Sequence, residues 1–488
     1  MDGVLAMVAR LEALVAEQRA TIARLEALVA EQRATIAELK ARVATLEEKL
    51  RLSSQNSSKP PSSDGPAAPQ RRKKGPSSRK AGAQPGHTKH ERELVPASDV
   101  NKMVEIRPKK CDDCGSSLTG SDPAPRRHQV FELPKVKPFV TEYRIHSLRC
   151  ACGKKTCGTL PLGVPSGAFG PSVVALVATL IGVYRLSKRA VPELLHDVFG
   201  LTISDGAVVG CQEIASAALK PAHAEAAAFI AKAPVKHADE TSWRQARSKA
   251  WLWVAVTTNM SLFVVHARRS AVAALALLGA PKGLLVTDRH GAYNAWPDDL
   301  HQFCWAHLLR DFKKIAERGG DSERIGNGLI AEAERMFAWW HFLRMGGLDR
   351  AAFRTLMGEV EEKVEELLVE GGGVSHSKTS GTCKQLLKRT KCLWTFVRHE
   401  NVEPTNNVAE RAIRHAVIIR KTSFGTHSEE GSRFIERILT VHASLRLQKR
   451  NILQFVHTAC TAMLSGSVPP SLLPAGPAPV SCDVRAAA

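Results

Sequence analysis

The chain has 488 residues and carries 68 Lys and Arg against 48 Asp and Glu, a formal net charge of +20. At roughly 150 residues per domain that length implies about three folding units, and 44% apolar residues can fill their cores, so wholesale disorder is excluded. No stretch reaches the roughly 20 apolar residues of a membrane span; the longest, Val173 to Val183, is bounded by Pro171 and Arg185 and reads as a buried helix. Met1-Asp2-Gly3 lacks the basic and then apolar opening of a secretory signal. Eleven cysteines, an odd number clustered early and scattered late, argue against a disulfide framework. A cytoplasmic chain without membrane association is expected, and its positive surplus points to a polyanionic partner, nucleic acid first.

The first element is a repeat. RLEALVAEQRATIA at 10–23 recurs letter for letter at 24–37, and fourteen residues are two heptads. Val8, Val15, Ile22, Val29, Ile36 and Val43 occupy a, and Leu11, Leu25, Leu39 and Leu46 occupy d, with Gln18 and Gln32 interrupting the seam. β-branched residues at a with mostly Leu at d favour a parallel two-stranded coiled coil, so residues 1–52 are read as a homodimerising helix. The competing reading is an amphipathic helix lying on its own protein.

Residues 53–100 are rich in Ser, Pro and Gly and form a basic disordered linker that carries Arg71, Arg72, Lys73, Lys74, Arg79 and Lys80. A solvated tether and a phosphate-binding arm that releases counterions are equally consistent with that composition. Residues 101–165 hold two cysteine groups, Cys111 with Cys114 and then Cys150, Cys152 and Cys157. Four thiolates can surround one structural tetrahedral Zn²⁺, which stabilises a small domain where disulfides do not persist. Five candidates compete for four places, Cys111, Cys114, Cys150 and Cys152 forming the favoured set and Cys157 the rival.

Residues 166–231 read as helical, with Ser204 or Asp205 as a cap, in a helix-turn-helix-like layout that suits a major groove; two packed helices without a DNA role would give the same pattern. Around residue 234 the period changes. VKHADETSWR, KAWLWVAVTTN and SLFVVHARRS read as a three-stranded antiparallel meander, followed by a helix at AVAALALLG, a strand in GLLVTDRHGAYN, and a strand running into a helix in LHQFCWAHLLRDFKKIAER. That order gives a mixed sheet flanked by helices, as in the ribonuclease-H-like fold, over 232–317 and 396–465. Residues 318–395 read as a helical insertion and 466–488 as a disordered tail. The whole is multidomain α+β.

In such a sheet the first and fourth strands are neighbours, which would bring Asp239 and Asp288 together. Glu410 falls in TNNVAERAIRHAVIIRK, a helix with Thr405 or Asn406 as cap. Three carboxylates at one point need a divalent cation, and an oxygen-rich set suits Mg²⁺ or Mn²⁺; two such ions serve phosphodiester displacement. Arg411 and Arg414 are candidate phosphate clamps, although Arg414 is also placed for an i,i+4 ion pair with Glu410. His237, His290, His301 and His307 lack a regular spacing for a zinc hydrolase.

SSQNSSKPPSSD, GAQPGH, CDDCG with its second cysteine cluster, DETSW followed by WLWVAVTTN, VTDRHGAYN, CWAHLLRDF and NNVAERAIRHAVIIRKTSFGTHSEEGSRFIERILTV together resemble the insertion sequence 66 family, bacterial DNA-strand-transfer transposases of the DDE class. The resemblance runs from the coiled coil to about Met463, and the second cysteine pair is one residue shorter than the family pattern. It implies that Asp239, Asp288 and Glu410 are the catalytic triad, and that a helical insertion precedes the glutamate. It further implies a zinc-binding segment, an N-terminal leucine zipper, element ends and target DNA as partners, accessory proteins of the same element, and a place at the nucleoid. The rival readings are a catalytically inactive DNA-binding protein and a metal-dependent resolvase or nuclease on the same sheet.

Overall fold

The computed structural model describes residues 2–51 and 93–474. The linker cations Arg71, Arg72, Lys73, Lys74, Arg79 and Lys80 therefore lie outside the described residues. The chain divides into two compact units, one comprising 71–142 with 192–203 and the other 1–70, 143–191 and 204–488.

In the smaller unit the described residues 101–142 form no helix or strand beyond one bridge between Lys110 and Ser117. The expected linker ends early here: Val95 donates its N–H to Gln129 Oε1 at 2.8 Å and accepts from Gln129 Nε2 and Arg127, so residues around 95 belong to the cysteine segment and not to a free tether. The Cys111 turn is closed by Cys111 N–H to Ser116 O at 2.9 Å and Gly115 N–H to Cys111 O at 3.0 Å.

The larger unit opens with α1 (Asp2–Arg51), a single 50-residue helix. Its Val15, Ile22, Leu25, Val29, Ile36, Leu39 and Val43 are all exposed. A short hairpin follows, β1 (Ser147–Arg149) with β2 (Lys155–Cys157). Helices α2 (Pro171–Gly182), α3 (Ala190–Phe199), α4 (Asp205–Ala218) and α5 (Lys220–Lys232) come next, α3 running across the boundary between the units. Ser204 caps α4, its hydroxyl accepting from Ala207 N at 3.2 Å. No helix among the described residues is long and apolar enough to cross a membrane.

The central sheet contains β3 (Val235–Gln245), β4 (Ser248–Val256) and β5 (Ser261–His266), then, after α6 (Ala271–Leu278), β6 (Leu284–Thr287) and β7 (His301–Phe303). Their order is β5-β4-β3-β6-β7. The first three are antiparallel, and β6 and β7 run parallel to β3. Strand β4 is a nearly continuous apolar run because it is covered on both faces. Helix α7 (Trp305–Ala316) leads into α8 (Gly320–Arg344), α9 (Arg350–Gly373), α10 (Ser377–Leu387) and the short α11 (Thr395–Arg398). These helices share a core, with Phe312, Leu329, Met336, Phe353, Val360 and Phe396 fully buried, that is continuous with Val286 and Phe303 of the sheet.

Helices α12 (Asn407–Ser423), α13 (Glu429–Leu447) and α14 (Ile452–Ser465) complete the chain. Helix α13 closes the exposed edge of β5 by chemistry rather than by a further strand. Ser444 Oγ, Thr440 Oγ1 and Glu436 Oε1 stand one turn apart and accept the N–H groups of Ser261, Phe263 and Val265, every second residue of the strand, at 3.0, 2.9 and 2.6 Å. An open edge invites pairing with another chain; three buried side chains satisfy it here. The tail departs from expectation. Leu472 is fully buried, its carbonyl accepting from Gln448 Nε2 at 2.9 Å, and Glu225 accepts from Ser471 Oγ at 2.6 Å. Residues 466–474 are thus part of the packed unit; one apolar side chain with a place to go outweighs the Pro- and Ala-rich composition.

Thr440→Val should leave the Phe263 N–H buried and unpaired, and so lower unfolding stability by about 1–3 kcal/mol in urea titration. An unchanged midpoint would mean the edge is not sealed by this helix.

Candidate active site

Strand pairing does the first positioning. Val235, Lys236 and His237 of β3 stand opposite Leu284, Leu285 and Val286 of β6. Asp239, two residues further along β3, and Asp288, the residue just beyond the end of β6, stand across from each other when that register is carried forward. Strand β6 stops at Thr287 because the Thr287 hydroxyl turns to the Asp288 carbonyl at 2.7 Å, and Asp288 Oδ1 accepts the His290 N–H at 2.9 Å. Asp239 Oδ1 in turn accepts its neighbour's N–H, that of Glu240, at 2.9 Å.

Glu410 arrives from α12, which is fixed along β3. Asn406 stands at the N-cap position without a capping bond; its amide instead donates to Ala238 O at 2.7 Å and its oxygen meets His237 Nδ1 at 3.2 Å. Further along, Arg420 Nη1 donates to Ser242 O at 3.1 Å, and Thr426 N–H to Arg244 O at 2.9 Å. Gly425 (φ 114) permits that last approach, since a Cβ there would lie 2.3 Å from Arg244 O.

The electrostatics are those of crowded like charges. Burial, then Glu240 and Asp288, and last Glu410, hold the Asp239 carboxyl well above the ordinary aspartate range. Glu240, whose side chain is fully buried, is also raised by burial and then by Asp288; Tyr293 and Arg269 oppose this. The Tyr293 hydroxyl donates to Glu240 Oε2, Arg269 Nε donates to Glu240 Oε1 at 2.7 Å, and the same guanidinium reaches Asp288 Oδ2 at 3.8 Å while stacking over Trp251. Arg269 is thus the resident cation of the recess. The oxygens of Asp239, Asp288 and Glu410 are not all within 4.8 Å of one another; among the described residues the group that meets that spacing is Cys304, His307 and Glu410. Glu410 Oε1 is buried without a hydrogen-bond partner. That orphaned carboxylate oxygen is left without a charge-neutralising hydrogen bond, and His307 Nδ1 is its neighbour at 3.6 Å.

Arg411 and Arg414 are both exposed, and Arg414 makes no ion pair with Glu410 among the described residues; His307 Nδ1 is the group that faces it, at 3.6 Å. His237 and His301 are buried and pushed down to about 4 and about 3, chiefly by burial, and His290 caps the turn at Gly291–Tyr293. Their partners are Asn406, Thr287 and backbone, not one another, so a histidine zinc centre does not assemble among them. Sequence reading passed over Glu240, Arg269, Tyr293 and Cys304, and weighed His307 only as a member of an irregular histidine set. The first and the last two sat inside DETSW and CWAHLLRDF, where the aspartate and the helix pattern drew attention instead.

In the smaller unit the Cys114 thiol is lowered to about 7 by hydrogen bonds from Ser116 and Cys111. In the larger, Cys150 is lowered by Cys152, and the turn between β1 and β2 is closed by Cys150 N–H to Lys154 O at 2.9 Å. Thiols poised toward thiolate are what a zinc site requires.

Residues 166–433 match the family described as Transposase IS66 family. The chain belongs to that family. Residues 108–153 match the zinc-finger binding domain of transposase IS66, which supports a structural zinc and DNA binding, and residues 9–93 match a family of unknown function. An uncharacterized protein, y4qI, of Sinorhizobium fredii is 25% identical over 244 residues, 45% of this chain and 44% of that protein, so the chain spans less than half the length of this relative.

The raised carboxyl of Asp239 has a sign that can be measured. A folded-state value above the unfolded one means that folding binds protons, so its contribution is complete below the unfolded value near 4 and is lost as pH rises through the folded value. At neutral pH without divalent ions, Asp239→Asn should therefore melt higher than the parent, each kcal/mol appearing as about 2–4 °C, with the difference vanishing near pH 4. An equal or lower melting temperature for the variant at pH 7 would contradict the crowding of charge described above.

Proposed function

We propose that this IS66-family chain is a DDE transposase in which Asp239, Asp288 and Glu410 form the catalytic triad of a ribonuclease-H-like domain. The observation that carries the reading is the parallel register of β3 and β6, which aligns the two aspartates while α12 brings the charge of Glu410 within their influence. The strand order β5-β4-β3-β6-β7, antiparallel and then parallel, and the helical insertion before α12 support the fold assignment.

Two Mg²⁺ or Mn²⁺ ions, held by Asp239, Asp288 and Glu410, would supply activation of the attacking hydroxyl and neutralisation of the leaving oxygen. The chain's own residues supply the rest. Glu240, anchored by Tyr293, holds Arg269 beside Asp288 and keeps the recess near neutrality before DNA enters. Arg411 and Arg414, exposed on the outward side of α12, contact phosphates flanking the scissile bond. Hydrolysis of a phosphodiester at the element end leaves a 3′-hydroxyl, which attacks target DNA by transesterification, with no covalent protein–DNA intermediate.

DNA recognition is assigned to the basic linker with Arg71, Arg72, Lys73, Lys74, Arg79 and Lys80, to the zinc segment, and to the helix-turn-helix-like helices α3 and α4. Cys111, Cys114, Cys150 and Cys152 are the proposed zinc ligands. The matched zinc-finger stretch ends at residue 153 and so omits Cys157, which favours this set. The exposed apolar stripe of α1 supports a parallel dimer, since burying Ile22, Leu25, Val29 and Leu39 against a second copy gains about 25 cal/mol per Å². Accessory proteins of the same element, and a cytoplasmic site of action at the nucleoid, complete the reading.

The test is incubation of the full chain with DNA bearing the element ends, in Mg²⁺ and in EDTA. Asp239→Ala should retain the gel shift, since affinity rests on the basic segments, and lose metal-dependent end cleavage by about 10³-fold or more, because members of a catalytic unit fail together. Undiminished cleavage by that variant would reject the triad. A gel shift without any metal-dependent nicking by the parent would favour an inactive DNA binder, and cleavage without strand transfer a resolvase or nuclease.

A further inference from the structure

A second cluster of donors lies beside the proposed triad and has a different chemistry. Cys304 stands at the N-terminus of α7 and His307 in its first turn, a C-x-x-H spacing that turns both side chains to one side of the helix start. Glu410 enters from the first turn of α12. One ligand atom from each lies within 4.8 Å of the other two. His307 Nδ1 and Glu410 Oε1 are 3.6 Å apart, too far for a hydrogen bond, and both atoms are buried with no hydrogen-bond partner. Two unpaired buried polar atoms facing each other across a gap are costly unless something occupies it. Two ligands of one tetrahedral ion with bonds of about 2.0–2.3 Å stand about 3.3–3.6 Å apart, the separation seen here. The Cys304 sulfur accepts the Asn406 N–H at 3.1 Å, and Trp305 N–H binds Pro404 O at 2.9 Å, so the two turns that carry the donors are fixed to each other, the first bond orienting the sulfur and neither engaging His307 Nδ1 or Glu410 Oε1.

We propose that Cys304, His307 and Glu410 form a zinc site of mixed sulfur, nitrogen and oxygen donors, separate from the cysteine segment and from the oxygen-only aspartate pair. Its thiolate and imidazole select a borderline ion such as Zn²⁺ over Mg²⁺, which takes oxygen donors. Three protein ligands leave a fourth position open, the arrangement that admits water or a phosphate oxygen. Because Glu410 belongs to both sites, Zn²⁺ bound here withdraws that carboxylate from Asp239 and Asp288, so micromolar Zn²⁺ opposes Mg²⁺-dependent cleavage.

The experiment counts zinc retained per full-length chain at equilibrium with a chelator of fixed free Zn²⁺, in millimolar Mg²⁺. His307→Gln, Cys304→Ser and Glu410→Gln should each hold one zinc fewer than the parent. The double variant Asp239→Asn/Asp288→Asn should hold as many as the parent, and would do so even if those aspartates were not catalytic, so the two readings fail separately. If the buried Cys304→Ser change unfolds the chain, seen by circular dichroism, the half-exposed His307 and Glu410 variants decide. A zinc count unchanged in His307→Gln and Glu410→Gln, or one displaced by Mg²⁺, would overturn the site.

Discussion

The buried Asp239 carboxyl has Glu240, Asp288 and Glu410 near enough to raise its proton affinity, and this crowding of like charge is the constraint to which the surrounding structure answers. Burial and neighbouring carboxylates raise the proton affinity of Asp239 and Glu240, and a fixed cation or a bound metal relieves such crowding. Arg269 does part of this work, bridging the fully buried Glu240 and the partly open Asp288. Glu240, adjacent to Asp239 in sequence, points to the opposite face of β3 as strand alternation requires. It anchors the arginine, while its charge still adds to the crowding felt by Asp239.

The scaffold keeps these groups in place by ties that cross long stretches of sequence. Helix α12 is held to β3 at Asn406, Arg420 and Thr426, so Glu410 cannot slide relative to Asp239 without breaking buried hydrogen bonds. Helix α13 seals the far edge through Glu436, Thr440 and Ser444, and the inserted helices extend the core outward from Val286 and Phe303, behind the strand end that carries Asp288. Cys304 and His307 sit at the start of α7, the helix that precedes that insertion.

The strands were legible because alternation and β-branched runs are local signals: three runs beginning at Val235, Ser248 and Ser261 form the meander, and the two acids follow from where the apolar stretches give way. The helical insertion was legible from its periodicity. What sequence could not carry is the set of contacts between residues far apart in the chain. Asn406 reads as a helix cap, the usual role of Asn at that position, yet its side chain is spent on Ala238 and His237, 168 and 169 residues away. Arg414 reads as the partner of Glu410 by the i,i+4 rule, but the group that faces Glu410 is His307 of another helix, at 3.6 Å. Leu472 reads as part of a Pro- and Ala-rich tail, and only the folded surface around Gln448 and Glu225 gives it a site.

The central claim is that Asp239, Asp288 and Glu410 converge on a common divalent ion, and iron-directed backbone cleavage tests it most directly. Fe²⁺ takes the place of Mg²⁺ at oxygen-rich sites, and ascorbate with peroxide then generates hydroxyl radicals that cut the polypeptide near the bound ion. The account expects cuts clustered around residues 239, 288 and 410 together, suppressed by excess Mg²⁺. Cuts at one of these segments without the other two, or Mg²⁺-insensitive cuts spread along the chain, would contradict it.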